Sequence, residues 1–276
     1  MKNYIFLLFI FFSFYLFSQG GNRYAAKKAF EFQKSTTVVI LDDLVKGEET
    51  EYNIALKKAV AGYWKITPTL FKRQSELTKL LPLKGFSLLV KSSRIVMNAD
   101  GYTFQKHSDL SVFMAEKDSL NFYGGIDEIA SAEIFDTQDP VEITYKLPLI
   151  LMAMQQYVSY ISEDGGIDTY DFYRLTERFF NKHKSEIHKD TLYICREDFP
   201  AEIKLEEFGK MYHHAFKIVS RSDLPALIAK GEKGYVFHID MGYKQIWVLR
   251  LKDGGICYHA ATQITGKLSK KDVNPL

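Results

Sequence analysis

Apolar positions along the chain follow two rhythms. Short β-branched or aromatic runs such as TTVVIL (36–41) and DTLYIC (190–195) read as strands buried on both faces. Between them the period is helical. Tyr52, Ala55, Leu56, Ala59, Val60 and Tyr63 recur at spacings of three and four, so EYNIALKKAVAGYWKI (51–66) predicts a helix with one apolar face turned to a sheet.

The same series of runs occurs twice. The first half reads TTVVIL, the helix at 51–66, SELTKLL (75–81), KGFSLLV (84–90), then LSVFMAEKD and LNFYGG. The second reads DTLYIC, EEFGKMYHHAFKI (206–218), SDLPALI (222–228), KGYVFHI (233–239), then KQIWVLRLKDGG and ICYHA. Trp64 and Phe216 take matching places, where a large aromatic opens the second strand as the helix ends. Ser222 stands as an N-cap, with Asp223 in the first turn and Pro225 tolerated near the start, and Ser75 and Glu76 play that part in the first half. The two KG-aromatic stretches each read as a strand entered through a Gly turn, and Asp253-Gly254-Gly255 as a hairpin turn.

These readings predict an α/β fold: two tandem copies of a strand-helix-strand-helix-strand-hairpin unit, at 36–139 and 190–276, joined by a helical connector at 140–189. The connector contains KLPLILMAMQQYVSYI (146–161) and DTYDFYRLTERFFNKHK (168–184), two apolar helical patterns separated by a turn at SEDGGID (162–168). Its plain role is to pack the two domains. Its alternative role is a partner surface, with Met152, Met154, Tyr157 and Tyr160 as an adaptable apolar patch.

The stretch FKIVSRSDLPALI resembles a segment of the curli-secretion CsgG-like proteins and of the amino-terminal domain of TolB-like proteins. The whole chain resembles uncharacterised secreted Bacteroidetes proteins with a duplicated α/β plan. What the resemblance implies is a periplasmic α/β domain used in envelope assemblies, with no active-site residue attached to it. The chain lacks the lipid-anchor Cys of the curli family, which speaks against a pore-forming role.

The address rests on the first residues. MKNYIFLLFIFFSFYLFSQGG has one cation, an apolar run from Tyr4 to Phe17 and a small-residue end, the layout of a cleavable secretory signal over 1–18 with a lead-in at 19–35. The run is short of the ~20 apolar residues that span a bilayer, so the expectation is a periplasmic or secreted protein with no transmembrane span after cleavage. The lead-in NRYAAKKAFEFQKS (22–35) is basic and mildly amphipathic and reads as a solvated approach to the first strand. Overall, Lys plus Arg number 36 against 34 Asp plus Glu, a balance that gives no basic stripe for nucleic acid. The two cysteines, Cys195 and Cys257, form a candidate disulfide in an oxidising compartment, against the plainer reading of two buried thiols.

The chemical motifs of metalloproteases, zinc ribbons, serine hydrolases and phosphate loops are missing, and GKLS (266–269) lacks the hydroxyl required after Lys267. No cofactor is indicated. His213, His238 and His259 are metal candidates, with His214 beside the first of them. Cys257 and His259, two apart on a strand, form a candidate thiol and base on one face. Asp164, Asp168 and Asp171 lack the alternation of a calcium loop. The export signal, duplicated unit and missing catalytic signatures together predict a noncatalytic interaction or scaffold protein of the cell envelope, docking on other envelope proteins. The alternative is a small-molecule or peptide-binding protein, or a hydrolase of unrecognised type, using an inter-domain cleft lined by His213, His238, Cys257 and His259.

Overall fold

The computed structural model describes residues 23–79, 84–97, 104–115, 128–133, 140–163, 179–198, 204–205, 208–240 and 245–261. The leader expected at 1–18, the acids Asp164, Asp168 and Asp171, GKLS at 266–269 and most of the connector helix at 168–184 lie outside them.

Helix α1 (Arg23–Phe32) precedes strand β1 (Thr36–Leu41), helix α2 (Glu51–Tyr63) and strand β2 (Thr69–Arg73). A 3-10 segment (Gln74–Lys79) then leads to the long strands β3 (Phe86–Met97) and β4 (Phe104–Met114) and to β5 (Glu128–Glu133). After helix α3 (Pro140–Glu163) and a 3-10 segment (Lys184–Lys189) come β6 (Leu192–Cys195), α4 (Phe208–Met211), β7 (Phe216–Val219) and α5 (Leu224–Ala229). Strands β8 (Tyr235–Asp240), β9 (Gln245–Arg250) and β10 (Ile256–Ala261) follow.

The strands form two five-stranded sheets, ordered β2-β1-β3-β4-β5 and β7-β6-β8-β9-β10. In each, the first strand pairs in parallel with the second and third, and the third, fourth and fifth run antiparallel. Strand order and pairing sense are thus identical, and the chain is two tandem α/β units. By contacts, the first compact unit takes the described residues up to Glu48, those from Lys65 to Glu133, and α3 from Val158 onward. The second takes α2 with Glu49 and Thr50, α3 up to Tyr157, and everything described from Phe179.

Backbone bonds fix which residues correspond. Thr37 N–H donates to Pro68 O at 2.8 Å, and Leu192 N–H to Ala215 O at 3.0 Å. Ala115 N–H donates to Phe86 O, and Leu251 N–H to Gly234 O, both at 3.0 Å. Phe86 therefore matches Gly234, and Ser87 matches Tyr235, one residue out of step with the alignment that KGFSLLV and KGYVFHI suggest. A slip of one exchanges the two faces of a strand. The structural register, not the apparent one, brings like faces together. Val38, Ile40, Leu88 and Ala115 belong to one cluster, and their counterparts Tyr193, Cys195, Val236 and Leu251 to another.

Packing accounts for the displaced glycine. A Cβ on Gly234 would lie 2.6 Å from Thr191 O and 2.7 Å from the Tyr193 ring. In the first unit Val38 leaves room for Phe86, whereas in the second the ring comes from Tyr193 and position 234 must be Gly. The aromatic of the pair thus comes from β3 in the first unit and from β6 in the second, and in a close-packed core there is room for it on one strand only.

Two further expectations are corrected. Trp64 caps α2, its N–H donating to Val60 O, and β2 opens only at Thr69, whereas Phe216 is the first residue of β7. By its bond to Phe208 O, the residue that matches Trp64 is Tyr212. The helix expected to precede Phe216 within EEFGKMYHHAFKI is described only over Phe208–Met211, and His213 and His214 lie in the loop after it. The chain must be extended by Phe216 to pair with Leu192, which cuts the helical pattern short.

The small helix after the second strand is set alike in both units. Arg73 N–H donates to Glu76 Oε2 at 2.9 Å, and Ser220 N–H to Asp223 Oδ2 at 3.0 Å. The cap is therefore Ser220 rather than Ser222, with Asp223 closing a capping box. The Arg73 N–H holds the Glu76 carboxyl, and the Ser220 hydroxyl and then its N–H hold the Asp223 carboxyl, below the usual carboxylate range.

Candidate functional site

In open α/β sheets, ligands gather beyond the carboxyl ends of parallel strands. In the first unit that end carries Asp42 and Asp43 after β1. Asp43 Oδ1 accepts from Ser75 N–H and Oγ–H at 3.2 and 2.7 Å, Arg73 donates to Asp42 O at 3.2 Å, and Lys91 pairs with the Asp42 carboxylate. In the second unit Glu197 takes the place of Asp42. Its carbonyl accepts from the Arg221 guanidinium at 3.3 Å, and its carboxylate accepts from Arg221 N–H at 3.2 Å and from the Cys195 thiol at 3.3 Å.

The second unit adds a buried ionic brace. Glu142, on the first turn of α3, pairs with Lys146 one turn on and with Arg221 at 3.2 Å; the Glu142 and Lys146 side chains are 11 % and 8 % exposed. Placing Arg221 on one side of the carboxylate and Lys146 on the other offsets the desolvation of all three. The brace ties α3 to the loop that opens α5.

Beside it lies a groove of about 330 Å³ between α2, α3 and α5, all within the second unit. Ile54, Ala55 and Tyr63 line it from α2, Pro140, Thr144 and Pro148 from α3, and Pro225, Ile228 and Ala229 from α5. Glu51 and Lys58 supply one charge of each sign at its edge. Pro148 stands inside α3 and has no N–H to give the Thr144 carbonyl one turn earlier, so the helical ladder leaves an acceptor among the groove residues. Gln155 donates to Tyr63 O at 2.9 Å and holds the end of α2 against α3. The volume falls within the range of small-ligand and peptide sites.

The candidates read from sequence are dispersed. His213 is exposed in its loop. His238 and His259 do share a sheet face, but each is the cross-strand neighbour of Trp247, so the indole stands between them. Phe180 closes on this row, its ring 5.4 Å from His259 and 6.0 Å from Trp247. Among the described residues no group of three or more His, Cys, Asp or Glu is gathered as a metal centre would need.

Cys257 and His259 do not act as a same-face pair, because the β9–β10 register shifts between Ile256 and Tyr258 and places Cys257 in the bulge. Cys257 is buried with Phe237 and Val248, while Cys195 is buried in the cluster of the opposite sheet face; both are free thiols. Burial pushes the Cys257 thiol up to about 12. A thiol at that value has almost no thiolate to act as nucleophile. The native chain is expected to leave both cysteines unmodified by an aromatic disulfide reagent in mild alkali and to release two equivalents of chromophore on unfolding; rapid native reaction would contradict the burial.

Met152, Met154 and Tyr157 are buried, and only Tyr160 is half-exposed. Met152 packs with Tyr145, Leu149 and Leu251, so this stretch of α3 is spent on the core of the second unit. Sequence reading passed over the groove because it is made of small and prolyl residues from three separate segments. It also passed over His188, which the fold brings to His214, ring centroids 4.3 Å apart.

The fold and these sites define a duplicated α/β protein with a helical groove on its second unit. Comparisons with models of known protein families, with curated proteins and with solved structures gave no match.

Proposed function

We propose that the chain is a noncatalytic interaction protein of the cell envelope, exported by the leader at 1–18, and that it docks a short apolar segment of an envelope partner in the groove between α2, α3 and α5. The groove is the observation that carries this reading. It combines apolar walls with a backbone acceptor and two edge charges, which suits a peptide segment with one or two apolar anchors. The leader pattern and the envelope resemblance of FKIVSRSDLPALI support the address. No helix among the described residues is long and apolar enough to cross a membrane.

Binding of a small molecule is the second reading, favoured by the same volume. Ile54 and Ala229 line the groove and are exposed, so arginine can be placed there without disturbing the core. Crosslinked capture from the native envelope is expected to recover a defined partner with the wild-type chain and roughly tenfold less with I54R or A229R, the scale of a lost anchor. Equal recovery with the variants, or a lone monomer throughout, would count against docking. A metabolite that raises the melting temperature of wild type but not of A229R would select the small-molecule reading.

A further inference from the structure

We propose that β2 is a self-association edge, through which two copies of the chain join their first sheets antiparallel about Leu70. Among the described strands β2 ends its sheet and pairs with β1 alone. Pro68 O accepts from Thr37 N–H, so the backbone groups of residues 68, 70 and 72 turn to β1 and those of Thr69 and Phe71 turn outward. The N–H of Arg73 is closed off by Glu76 Oε2 at 2.9 Å. Thr69 and Phe71 thus present their N–H and C=O groups along an edge that can template a further strand.

The second unit carries the same edge in a guarded form. By the bonds of Thr37 to Pro68 and of Leu192 to Ala215, Leu70 matches Lys217 and Phe71 matches Ile218. Lys217 is exposed, and an edge lysine resists pairing because a partner strand would have to desolvate its charge. Ile218 packs against the apolar cluster of that unit, and α4 lies over β7 with the Phe208 ring 5.3 Å from Phe216. β2 has neither protection. Leu70 stands where the lysine does and is 48 % exposed, and Phe71 is 38 % exposed.

The occupant is a second copy because the strand complements itself. Antiparallel about a two-fold axis at Leu70, Thr69 of each copy faces Phe71 of the other, and every outward donor of these residues meets an acceptor. Leu70 then meets its own image at a non-hydrogen-bonded position, where side chains come closest, and the two Phe71 rings become diagonal neighbours within reach of each other. Lys72 falls opposite Pro68, so no like charges are opposed, and it is already paired with Glu76 at 3.2 Å. Such a contact closes at two chains. Being one short strand pair, it makes a weak, reversible dimer.

Sedimentation of the whole chain, from low micromolar to near-millimolar concentration, is expected to show the mass rising from one chain toward two. L70K, which copies the guard of the second unit, should weaken self-association about tenfold, because it removes the central apolar contact and sets two cations face to face. Crosslinking reads the register. L70C places two thiols at the axis within disulfide reach, so mild oxidation should link the copies; K72C, whose thiols lie well beyond the ~7 Å limit between Cα atoms, should not link. The native cysteines are buried and do not compete. Both substituted positions lie at the surface, so circular dichroism of the variants should match wild type. I54R and A229R should self-associate as wild type does, which separates this edge from the groove. A mass fixed at one chain throughout, association unchanged in L70K, or equal linking of L70C and K72C would overturn the proposal. Linking of L70C to a different protein, with the chain alone monomeric, would overturn it in favour of a foreign strand.

Discussion

Gly254→Ala is expected to destabilise the second unit by about 3 kcal/mol, from a left-handed backbone that costs an L-residue roughly 1–2 kcal/mol and from overpacking worth about 1–3 more. Gly254 sits in the β9–β10 turn at φ +67°, and a Cβ there would lie 2.6 Å from both Leu149 O and Met152 Cβ and 3.0 Å from Ala153 N. The atoms it would meet are the backbone of α3 and the root of a buried side chain, so neither can swing aside. The turn is pinned further by Gln156, whose amide donates to Asp253 O, and by Arg250, whose guanidinium donates to Asp253 Oδ1 at 2.8 Å and Glu186 Oε2 at 3.0 Å. Gly231 provides the control: its φ is +62°, but nothing lies within 4 Å of an added Cβ. Gly231→Ala should therefore cost only the backbone part, about 1 kcal/mol. Urea unfolding of the three proteins measures both. Equal losses for the two variants would mean that the turn does not press on α3.

Gly254 also shows how far the sequence could be read. Its turn was legible because Asp-Gly-Gly between two apolar runs has few other uses, and the strand runs were legible because short β-branched segments bounded by polar residues rarely do anything else. The order of elements in the two halves then followed. Register was not legible. KGFSLLV and KGYVFHI share letters, and both glycines have positive φ, +80° at Gly85 and +146° at Gly234, but Gly85 sits in the turn before β3 with open space around it, whereas Gly234 is already hydrogen-bonded to Leu251 in the ladder and has Tyr193 lying on it. A shared glycine served two physical needs, and one-dimensional likeness cannot separate them. Tyr193 and Gly234 are 41 positions apart, and only the parallel pairing of β6 with β8 makes them neighbours.

The candidate sites were less legible for the same reason. A helix carrying Met152, Met154 and Tyr157 has the composition of an adaptable surface and also of a core, and composition does not say which strands will cover it. The groove is lined largely by Ala, Pro and Ile contributed by residues 51 to 63, 140 to 148 and 225 to 229, none of which carries a catalytic or ligand-binding motif. The His238–Trp247–His259 row required knowledge of two antiparallel registers before its central residue could be recognised as an indole rather than open space. Chemistry is readable in a sequence when its ligands are close in the chain; here the groove walls and the aromatic–histidine row are each gathered from distant segments.

That row makes the second strong prediction. His259 is held at about 4 instead of 6.5, because burial against uncharged rings disfavours its protonated form. Trp247 lies 4.0 Å from it and Phe180 5.4 Å, while His238 is on the far side of Trp247. In the unfolded chain the same imidazole takes up a proton near 6.5, so between 6.5 and 4 the unfolded state binds more protons than the folded one. The contribution of His259 to stability is therefore intact above the upper value and is lost as the pH falls toward the lower one, by about 2–3 kcal/mol at pH 4. Phenylalanine can occupy the same place between the rings without a titrating group. Unfolding free energies of wild type and H259F, compared at neutral pH and at pH 4, should thus diverge by that amount, with the variant the more resistant to acid. A nuclear magnetic resonance titration of the ring gives the independent check. A midpoint near 6.5, or parallel acid losses in both proteins, would show that the imidazole is in contact with water and that the aromatic row does not enclose it.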